Sequence, residues 1–473
     1  MTKLKSIVLK KSLNLIETPD FSGAPNLEHL HLGGCTSLVK VHPSLGQLEK
    51  LVEVDLNHCA NLEILPKKLE TNSLVKLNLR GCKKVAKLPE FGEGMKKRSY
   101  LNVDATSITR LPESIGSLTA LEYLNLSGCK IENLDKLLKT HISHQISGWN
   151  VTSLTELYLS QCGLDDGSIP DFDSLSLLTV LDLSFNDFEN LPIGCFSGLS
   201  RLVFLSLNYC KRLKSLPTLP PRLIRLHASG CDLMEPLSSD RQLWDLVASL
   251  DHECRGRTID DDWDEDGLED VPSVLYQRLK WPSRDFCASL PGYKIPSWFL
   301  KREYCPLDEN REYKIEVDIP PYFRDSEWCG IVVCFRMSSY NDGSGVVGWG
   351  SKAAESDDYY IIKEWERAIP YPFRGEQCII MVLELNEETC WRHLRAHQSN
   401  SLHILFAFES KWFDQDYWEA EECGWRVIRK EEIQDWRHLN GFFNQANQPK
   451  LASSDEVKLP MRALVEFFLG EWF

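Results

Sequence analysis

Apolar residues recur at fixed intervals through the first half of the chain, in the pattern Leu-x-x-Leu-x-Leu-x-x-Cys. The first copies begin at Leu4 (a partial copy), Leu27, Leu51 and Leu74, so successive starts differ by 23, 24 and 23 residues. Later copies begin at Leu101 (a weaker one), Leu121, Leu154, Leu178, Leu202 and Leu223. Recurrence at an interval of this length indicates a stack of repeated structural units.

The alternation Leu-x-Leu predicts a short β-strand in each copy, because a period of two places both leucines on one face. In a helix the same leucines would point to opposite sides, which excludes a helical bundle. The Cys or Asn that ends each copy is expected to close the turn, and successive strands are expected to form one parallel sheet. Repeats of this length and pattern are leucine-rich repeats. The predicted fold is an α/β leucine-rich-repeat solenoid (horseshoe) of about ten repeats over residues 1–235.

The hydrophobic pattern changes after Cys231. Residues 236–285 form a predicted linker that contains the acidic run 260–266. From residue 286 the chain is rich in aromatic residues and alternates with a period of two, as in 313–319 and 402–408, while 331–335 and 379–383 are continuous apolar runs. Such segments are typical of edge and central β-strands. We expect an all-β sandwich (jelly-roll or Ig-like) over 286–440 and a C-terminal tail over 441–473.

Composition restricts the partners and the compartment. The formal net charge of −16 repels phosphate backbones and anionic lipid, so neither nucleic acid nor a membrane is an expected partner. Charged residues interrupt the apolar positions near Met1, which is unlike a signal peptide and predicts a cytoplasmic protein, with nuclear entry left open. Many of the 16 cysteines recur at one position of the repeat, so we expect them to be reduced and buried.

Several phrases resemble one family. Leu290–Phe299, Trp328–Phe335 and Glu422–Ile428 are similar to strands of the domain located after the repeats (the C-terminal jelly-roll and Ig-like domain) in plant intracellular immune receptors of the Toll-type, nucleotide-binding, leucine-rich-repeat class. Within the repeats, Leu15–Phe21 and Leu111–Ile115 resemble the same class. The resemblance implies a recognition region that binds a pathogen effector protein. It also implies contact with the nucleotide-binding part of the same receptor or of a partner receptor, and control of defence signalling.

The sequence contains no positive sign of catalysis. It has neither the phosphate-binding loop Gly-x-x-x-x-Gly-Lys-[Ser/Thr] nor a Toll-type domain, so we expect no enzyme activity and no cofactor. Asp262, Asp264 and Asp266 match half of a calcium loop, but Ser273 stands where the bidentate Glu is needed. Cys390, His393 and His397 have a spacing that a metal could use but lack a fourth ligand, so no metal is predicted. The alternatives are an extracellular receptor or inhibitor ectodomain, and an NAD-cleaving enzyme if a Toll-type domain lies upstream.

The outward positions of the predicted strands carry the candidate ligand-binding residues. Aromatic and basic side chains there are expected to line the concave face and to provide large contact areas for a protein ligand. They are Tyr100, Tyr123, Tyr158, Phe185, Phe204, Tyr209, Arg225 and His227. In the alternative interpretation these rings only cover neighbouring strands or the C-terminal domain.

Overall fold

The computed structural model describes most of the repeat region and part of the C-terminal half of the chain. It covers residues 3–134 without 72 and 93–98, and residues 152–234 without 170, 171, 173, 193, 217, 218, 221, 222 and 224. Beyond residue 285 it covers residues 295 and 299 and nine strands between 286 and 429. All these residues belong to the first of two compact units, Met1–Ile433; the second is Gln434–Phe473. The predicted linker and tail lie outside the described residues.

Each predicted Leu-x-Leu segment forms a β-strand. In chain order the strands up to residue 234 are β1 (Ser6–Val8), β2 (His29–His31), β3 (Glu53–Asp55), β4 (Lys68–Leu69), β5 (Lys76–Asn78), β6 (Glu90–Phe91), β7 (Ser99–Asn102), β8 (Leu121–Asn125), β9 (Glu156–Tyr158), β10 (Val180–Asp182), β11 (Phe204–Ser206) and β12 (Arg225–His227). All except β4 and β6 join one parallel sheet, in chain order. The strands β4 and β6 form a separate parallel pair, and Pro43–Gln47 and Glu113–Ser117 are short 3₁₀ helices. The prediction of a leucine-rich-repeat solenoid is confirmed.

The core of the solenoid consists of the residues that define the sequence pattern. In the copy that begins at Leu27, the side chains of Leu27, Leu30, Leu32 and Cys35 are each at most 1% exposed. Burying one leucine side chain stabilises the fold by about 2 kcal/mol. Because each repeat covers the apolar edge of its neighbour, the stability of the solenoid comes from contacts between adjacent repeats.

The cysteine positions form a ladder of hydrogen bonds between repeats. Each thiol donates to the backbone carbonyl of the last apolar pattern residue in the preceding copy. The Sγ–O distances are 3.1 Å for Cys35–Leu9, 3.2 Å for Cys59–Leu32, 3.0 Å for Cys82–Leu56, 3.2 Å for Cys129–Val103, 3.3 Å for Cys162–Leu126, 3.4 Å for Cys210–Leu183 and 3.1 Å for Cys231–Leu207. All seven cysteines are buried free thiols, as predicted. Burial raises the pKa of Cys162 to about 12, so this thiol stays protonated and can donate.

The residue before the cysteine position of each copy has a left-handed backbone, including the three copies in which Ser12, Thr106 or Asn186 stands at that position. Its φ lies between 54° and 76° at Lys11, Gly34, His58, Gly81, Ala105, Gly128, Gln161, Phe185, Tyr209 and Gly230. This conformation turns the N–H toward the next copy: Gly34 N donates to Asn57 O at 2.7 Å, and Ala105 N donates to Ser127 O at 2.9 Å. A side chain at positive φ costs about 1–2 kcal/mol, so the six non-glycine residues are locally unfavourable.

We expect opposite effects when the residue type is exchanged at two of these turns. Ala105→Gly should raise the free energy of unfolding by about 1 kcal/mol, and Gly128→Ala should lower it by a similar amount. A Cβ at Gly128 would lie 3.5 Å from Ala105 Cα, an ordinary contact, so only the backbone opposes it. Urea denaturation of both variants checks the prediction. Changes of the same sign in the two variants would contradict it.

The sheet continues beyond the repeats. The remaining strands are β13 (Phe286–Pro291), β14 (Lys301–Tyr304), β15 (Glu312–Asp318), β16 (Trp328–Ser339), β17 (Gly345–Ala353), β18 (Ala368–Ile369), β19 (Gly375–Leu383), β20 (Ser401–Ser410) and β21 (Trp418–Arg429). The strand β13 pairs in parallel with β12, and antiparallel strands come next in the order β13-β19-β16-β21-β14. A four-stranded sheet, β15-β20-β17-β18, is separate. Strands therefore occur where the alternating and apolar runs predicted them, while the packing of the two sheets into a sandwich stays a prediction.

Within the described residues, no helix has both the length and the apolar character needed to span a lipid bilayer.

Candidate ligand-binding face of the parallel sheet

The side of the parallel sheet away from the central leucines carries two columns of side chains, which we call the strand face. The first column consists of Ser6, His29, Glu53, Lys76, Tyr100, Tyr123, Glu156, Val180, Phe204 and Arg225. The second consists of Val8, His31, Asp55, Asn78, Asn102, Asn125, Tyr158, Asp182, Ser206 and His227. The parallel pairing aligns each column residue with its counterpart in the next repeat. Side chains one repeat apart are therefore neighbours.

Three tyrosines stack across the middle of the strand face. The rings of Tyr100 and Tyr123 are 4.0 Å apart between centroids and nearly parallel, and Tyr158 is 5.2 Å from Tyr123 and tilted. The hydroxyl of Tyr100 accepts a hydrogen bond from Asn102 Nδ2 at 3.0 Å, and the hydroxyl of Tyr158 donates to Glu156 Oε2 at 2.7 Å. Ring stacking and these side-chain bonds hold the tyrosines in a fixed arrangement.

Beyond these three tyrosines, the aromatic row on the strand face continues toward β12, where its side chains are more buried. Tyr158, Val180 and Phe204 form one buried cluster, against which Tyr123 packs, and the ring of His227 lies 5.1 Å from that of Phe204. Tyr158 and Phe204 are each only 5% exposed, and His227 is also buried. These three predicted ligand-binding residues therefore offer little surface to a partner in this structure. Their neighbours one repeat away cover them, which the pattern of outward positions in a single copy does not show.

A stacked aromatic pair, the exposed Phe185 and the half-buried Tyr209, lies at the left-handed turns beside the strand face. Phe185 is 45% exposed, and its ring stacks on that of Tyr209 with 4.8 Å between centroids. A Cβ at Gly230 would meet Tyr209 Cδ1 at 2.6 Å, so the Tyr209 ring lies directly over this glycine. Arg225, the remaining candidate, is half-buried in the first column. The structure thus places the predicted aromatic residues in a central aromatic row and in a rim pair, Phe185 and Tyr209, of which Phe185 is exposed.

Two carboxyl groups lie among the aromatic rings in a poorly solvated environment. Burial raises the pKa of Glu156, although the hydrogen bond from Tyr158 opposes this. Burial also raises the pKa of Asp182 against the effect of its bonds from Ser184. Because a buried carboxylate lacks solvation, a cation or hydrogen-bond donor placed next to it would favour its ionised form. This part of the face therefore suits a ligand that offers basic or donor groups.

The N-terminal end of the strand face carries a cluster that the sequence pattern did not single out. His29 Nδ1 is 3.6 Å from Glu53 Oε2, and His31 Nε2 is 3.8 Å from the same oxygen. The other oxygen, Glu53 Oε1, forms a salt bridge with Lys76 Nζ at 2.8 Å. Burial alone would raise the pKa of Glu53, but the hydrogen bond and charge of Lys76 hold it below its ordinary value. The sequence does contain a sign of this cluster: His29 and His31 are two residues apart on one strand, and Glu53 occupies the position of His29 in the next repeat.

The metal-binding patterns considered in the sequence fall outside the described residues. These are the acidic run with Asp262, Asp264 and Asp266, and the set Cys390, His393 and His397.

The repeats define the class of protein. The family model described as Leucine Rich Repeat matches residues 153–175 and 177–199, the segments that contain β9 and β10. Among solved structures, an internalin (inlF) from Listeria monocytogenes is 17% identical and aligns over 49% of this chain and 86% of its own, with a TM-score of 0.30. That likeness is too distant to bear on function.

The chain also resembles individual curated proteins in sequence. The chain is 29% identical over 416 residues to TMV resistance protein N of Nicotiana glutinosa, which covers 72% of this chain and 35% of the relative. It is 30% identical over 436 residues to the disease resistance-like protein DSC1 of Arabidopsis thaliana, covering 72% of this chain and 34% of that protein. The chain therefore spans about a third of the length of these relatives. It contains leucine-rich repeats and is similar in sequence to about a third of these plant disease resistance proteins.

Proposed function

We propose that this chain is the non-enzymatic recognition region of an intracellular plant immune receptor, and that its strand face binds a pathogen effector protein. Binding would relieve contacts with the nucleotide-binding part of the same receptor, or assemble partner receptors, and so regulate defence signalling. The homology to resistance proteins supports the immune role. The aromatic row and the rim pair with its exposed Phe185 are the observation that supports protein recognition.

The aromatic side chains have the properties of interface anchors. Tyrosines that are stacked and hydrogen-bonded in advance lose little conformational freedom when a partner binds. Phe185 adds exposed apolar surface at the rim, where it stacks on the half-buried Tyr209, and Arg225 and His227 continue the face to β12. Glu156 and Asp182 favour a partner with basic side chains, in agreement with the formal net charge of −16. These features fit a basic effector surface that contacts several repeats at once.

The rest of the chain fits the same role. We assign the repeats to residues 1–235, the linker to 236–285, and a β-sandwich of the jelly-roll and Ig-like type to 286–440, where it would extend the recognition surface. The pairing of β12 with β13 supports this arrangement because it continues the parallel sheet of the strand face into the antiparallel strands that follow. The buried free thiols of the ladder support a cytoplasmic location, since unpaired cysteines are typical of reducing compartments.

The test is a binding assay between the full chain and a panel of purified effector proteins secreted by pathogens of the host plant. We expect at least one effector to bind, and the double substitution Phe185→Ala with Tyr209→Ala to weaken that binding about tenfold or more, as loss of aromatic anchors usually does. Biolayer interferometry with immobilised chain measures the dissociation constants.

The matched control is Ile64→Ala, which also shortens an exposed apolar side chain but lies outside the ten strands of the strand face. Its affinity should equal that of the unchanged protein. If no effector binds, or if the double variant binds as well as the control, the strand face is not the recognition surface.

A further inference from the structure

We propose that His29, His31 and Glu53 form a binding site for a divalent transition-metal ion of the zinc type on the strand face. One ligand atom from each residue lies within 4.8 Å of the others. Two imidazoles with one carboxylate are a donor set that Zn²⁺ and Co²⁺ accept, whereas Ca²⁺ and Mg²⁺ require oxygen ligands.

The strands place these three side chains together for a simple reason. His29 and His31 are two residues apart on β2, so both project from the strand face, and their rings are parallel within 5°. The pairing of β2 with β3 sets His29 directly beside Glu53. This arrangement depends only on backbone register, which the buried leucines on either side hold in place.

The distances are close to those of a bound ion. With metal–ligand bonds of about 2.0–2.1 Å, the ligand atoms of a tetrahedral site lie about 3.3 Å apart. His29 Nδ1 and His31 Nε2 are 3.6 and 3.8 Å from Glu53 Oε2. These two pairs need to shorten by only about 0.5 Å or less, while the two histidine nitrogens, which lie within 4.8 Å of each other, can need a shift of up to about 1.5 Å through rotation of the imidazoles. Three protein ligands would leave the fourth position of the ion open, on the side facing away from the sheet.

The surroundings favour a bound cation in one respect and oppose it in another. His31 Nδ1, the ring nitrogen that would not bind the ion, is buried without a hydrogen-bond partner among the described residues, so the second bond that usually orients a metal-bound imidazole is missing. The salt bridge to Lys76 holds Glu53 so that Oε2 faces the two histidines, but the ammonium repels a second cation. Removing the charge of Lys76 should consequently strengthen metal binding, because Coulomb repulsion at this range is large.

The experiment is a titration of the full chain, first stripped with chelator, with Zn²⁺ by calorimetry and with Co²⁺ by visible absorption. We expect His29→Gln and His31→Gln each to weaken binding about tenfold or more. Lys76→Met should tighten binding, a change that unfolding cannot produce. The control His58→Asn replaces an exposed histidine outside the cluster and should leave the affinity unchanged.

The cobalt spectrum separates this site from the cysteines of the chain. Nitrogen and oxygen ligands give visible d–d bands without the intense sulfur-to-cobalt charge-transfer band of a thiolate site. A charge-transfer band that persists in both histidine variants would overturn the proposal. Equal affinities for the unchanged protein, His29→Gln and Lys76→Met would also overturn it.

Discussion

The substitution Cys59→Arg is expected to lower the free energy of unfolding by about 4 kcal/mol, because it places an unpaired charge in the apolar core. Cys59 is completely buried, and its thiol donates to Leu32 O at 3.2 Å. Its hydrogen bond with Cys82 and its burial raise the pKa of this thiol, so it is a neutral donor at neutral pH. Urea denaturation followed by circular dichroism measures the loss.

Two controls separate the charge from the length of the new side chain. Ala60→Arg introduces the same residue at the next, half-buried position, where the guanidinium can reach water, so we expect a change below about 1 kcal/mol. Cys59→Ala removes only the thiol and its hydrogen bond, and should cost about 1–2 kcal/mol. If Cys59→Arg is no more harmful than Ala60→Arg, the ladder is not part of the packed core.

The second large effect is expected at Asn186, which occupies the cysteine position in its own copy. Its Nδ2 donates to the carbonyls of Leu159 at 2.9 Å and Leu183 at 2.8 Å, and its Oδ1 accepts from the amides of Cys162 at 3.1 Å and Leu164 at 3.0 Å. Asn186→Leu would leave all four backbone groups without these partners in a buried site. We expect it to lower the free energy of unfolding by about 3–5 kcal/mol.

Hydrogen exchange gives a residue-level check of this prediction. The amides of Cys162 and Leu164 should exchange faster in Asn186→Leu, because both lose their acceptor. Asn186→Cys introduces the residue that stands at this position in the neighbouring copies. It should lower the free energy of unfolding less than Asn186→Leu does. Asn190→Leu, an exposed site four residues later, should change neither exchange nor stability. Unchanged protection of both amides in Asn186→Leu would contradict the proposed role of Asn186.

The repeat geometry could be predicted because the apolar pattern fixes the side chains and the register together. Leu30, Leu32 and Cys35 are buried as their spacing requires, since any shift by one residue would expose the leucines. The weak copy at Leu101 also forms a full strand: Thr106 takes the cysteine position and donates to Val103 O at 2.8 Å. This bond stays within the copy, unlike the thiol bonds to the preceding copy, so the strand forms without that rung of the ladder.

Features that depend on contacts between copies were harder to predict. The left-handed turn is marked by glycine in some copies only, so His58 and Gln161 gave no sign of it. The burial of Tyr158 depends on Val180 and Phe204 in the next two copies. The pairing of β12 with β13 joins segments separated by the long predicted linker, and no local periodicity encodes such a contact. Aligning the copies column by column would have revealed the neighbours His29 and Glu53.

The left-handed turns also bear on how stable this fold could be made. Glycine is the least strained residue at these positions, yet two consecutive copies carry Phe185 and Tyr209 there, each with φ 57°. A pair of glycines would give a more stable scaffold without these two rings. Under the proposed function, the rim pair gives up conformational stability for contact surface. An attempt to make this protein more heat-resistant by idealising its turns would then remove the side chains through which we expect it to recognise its partner.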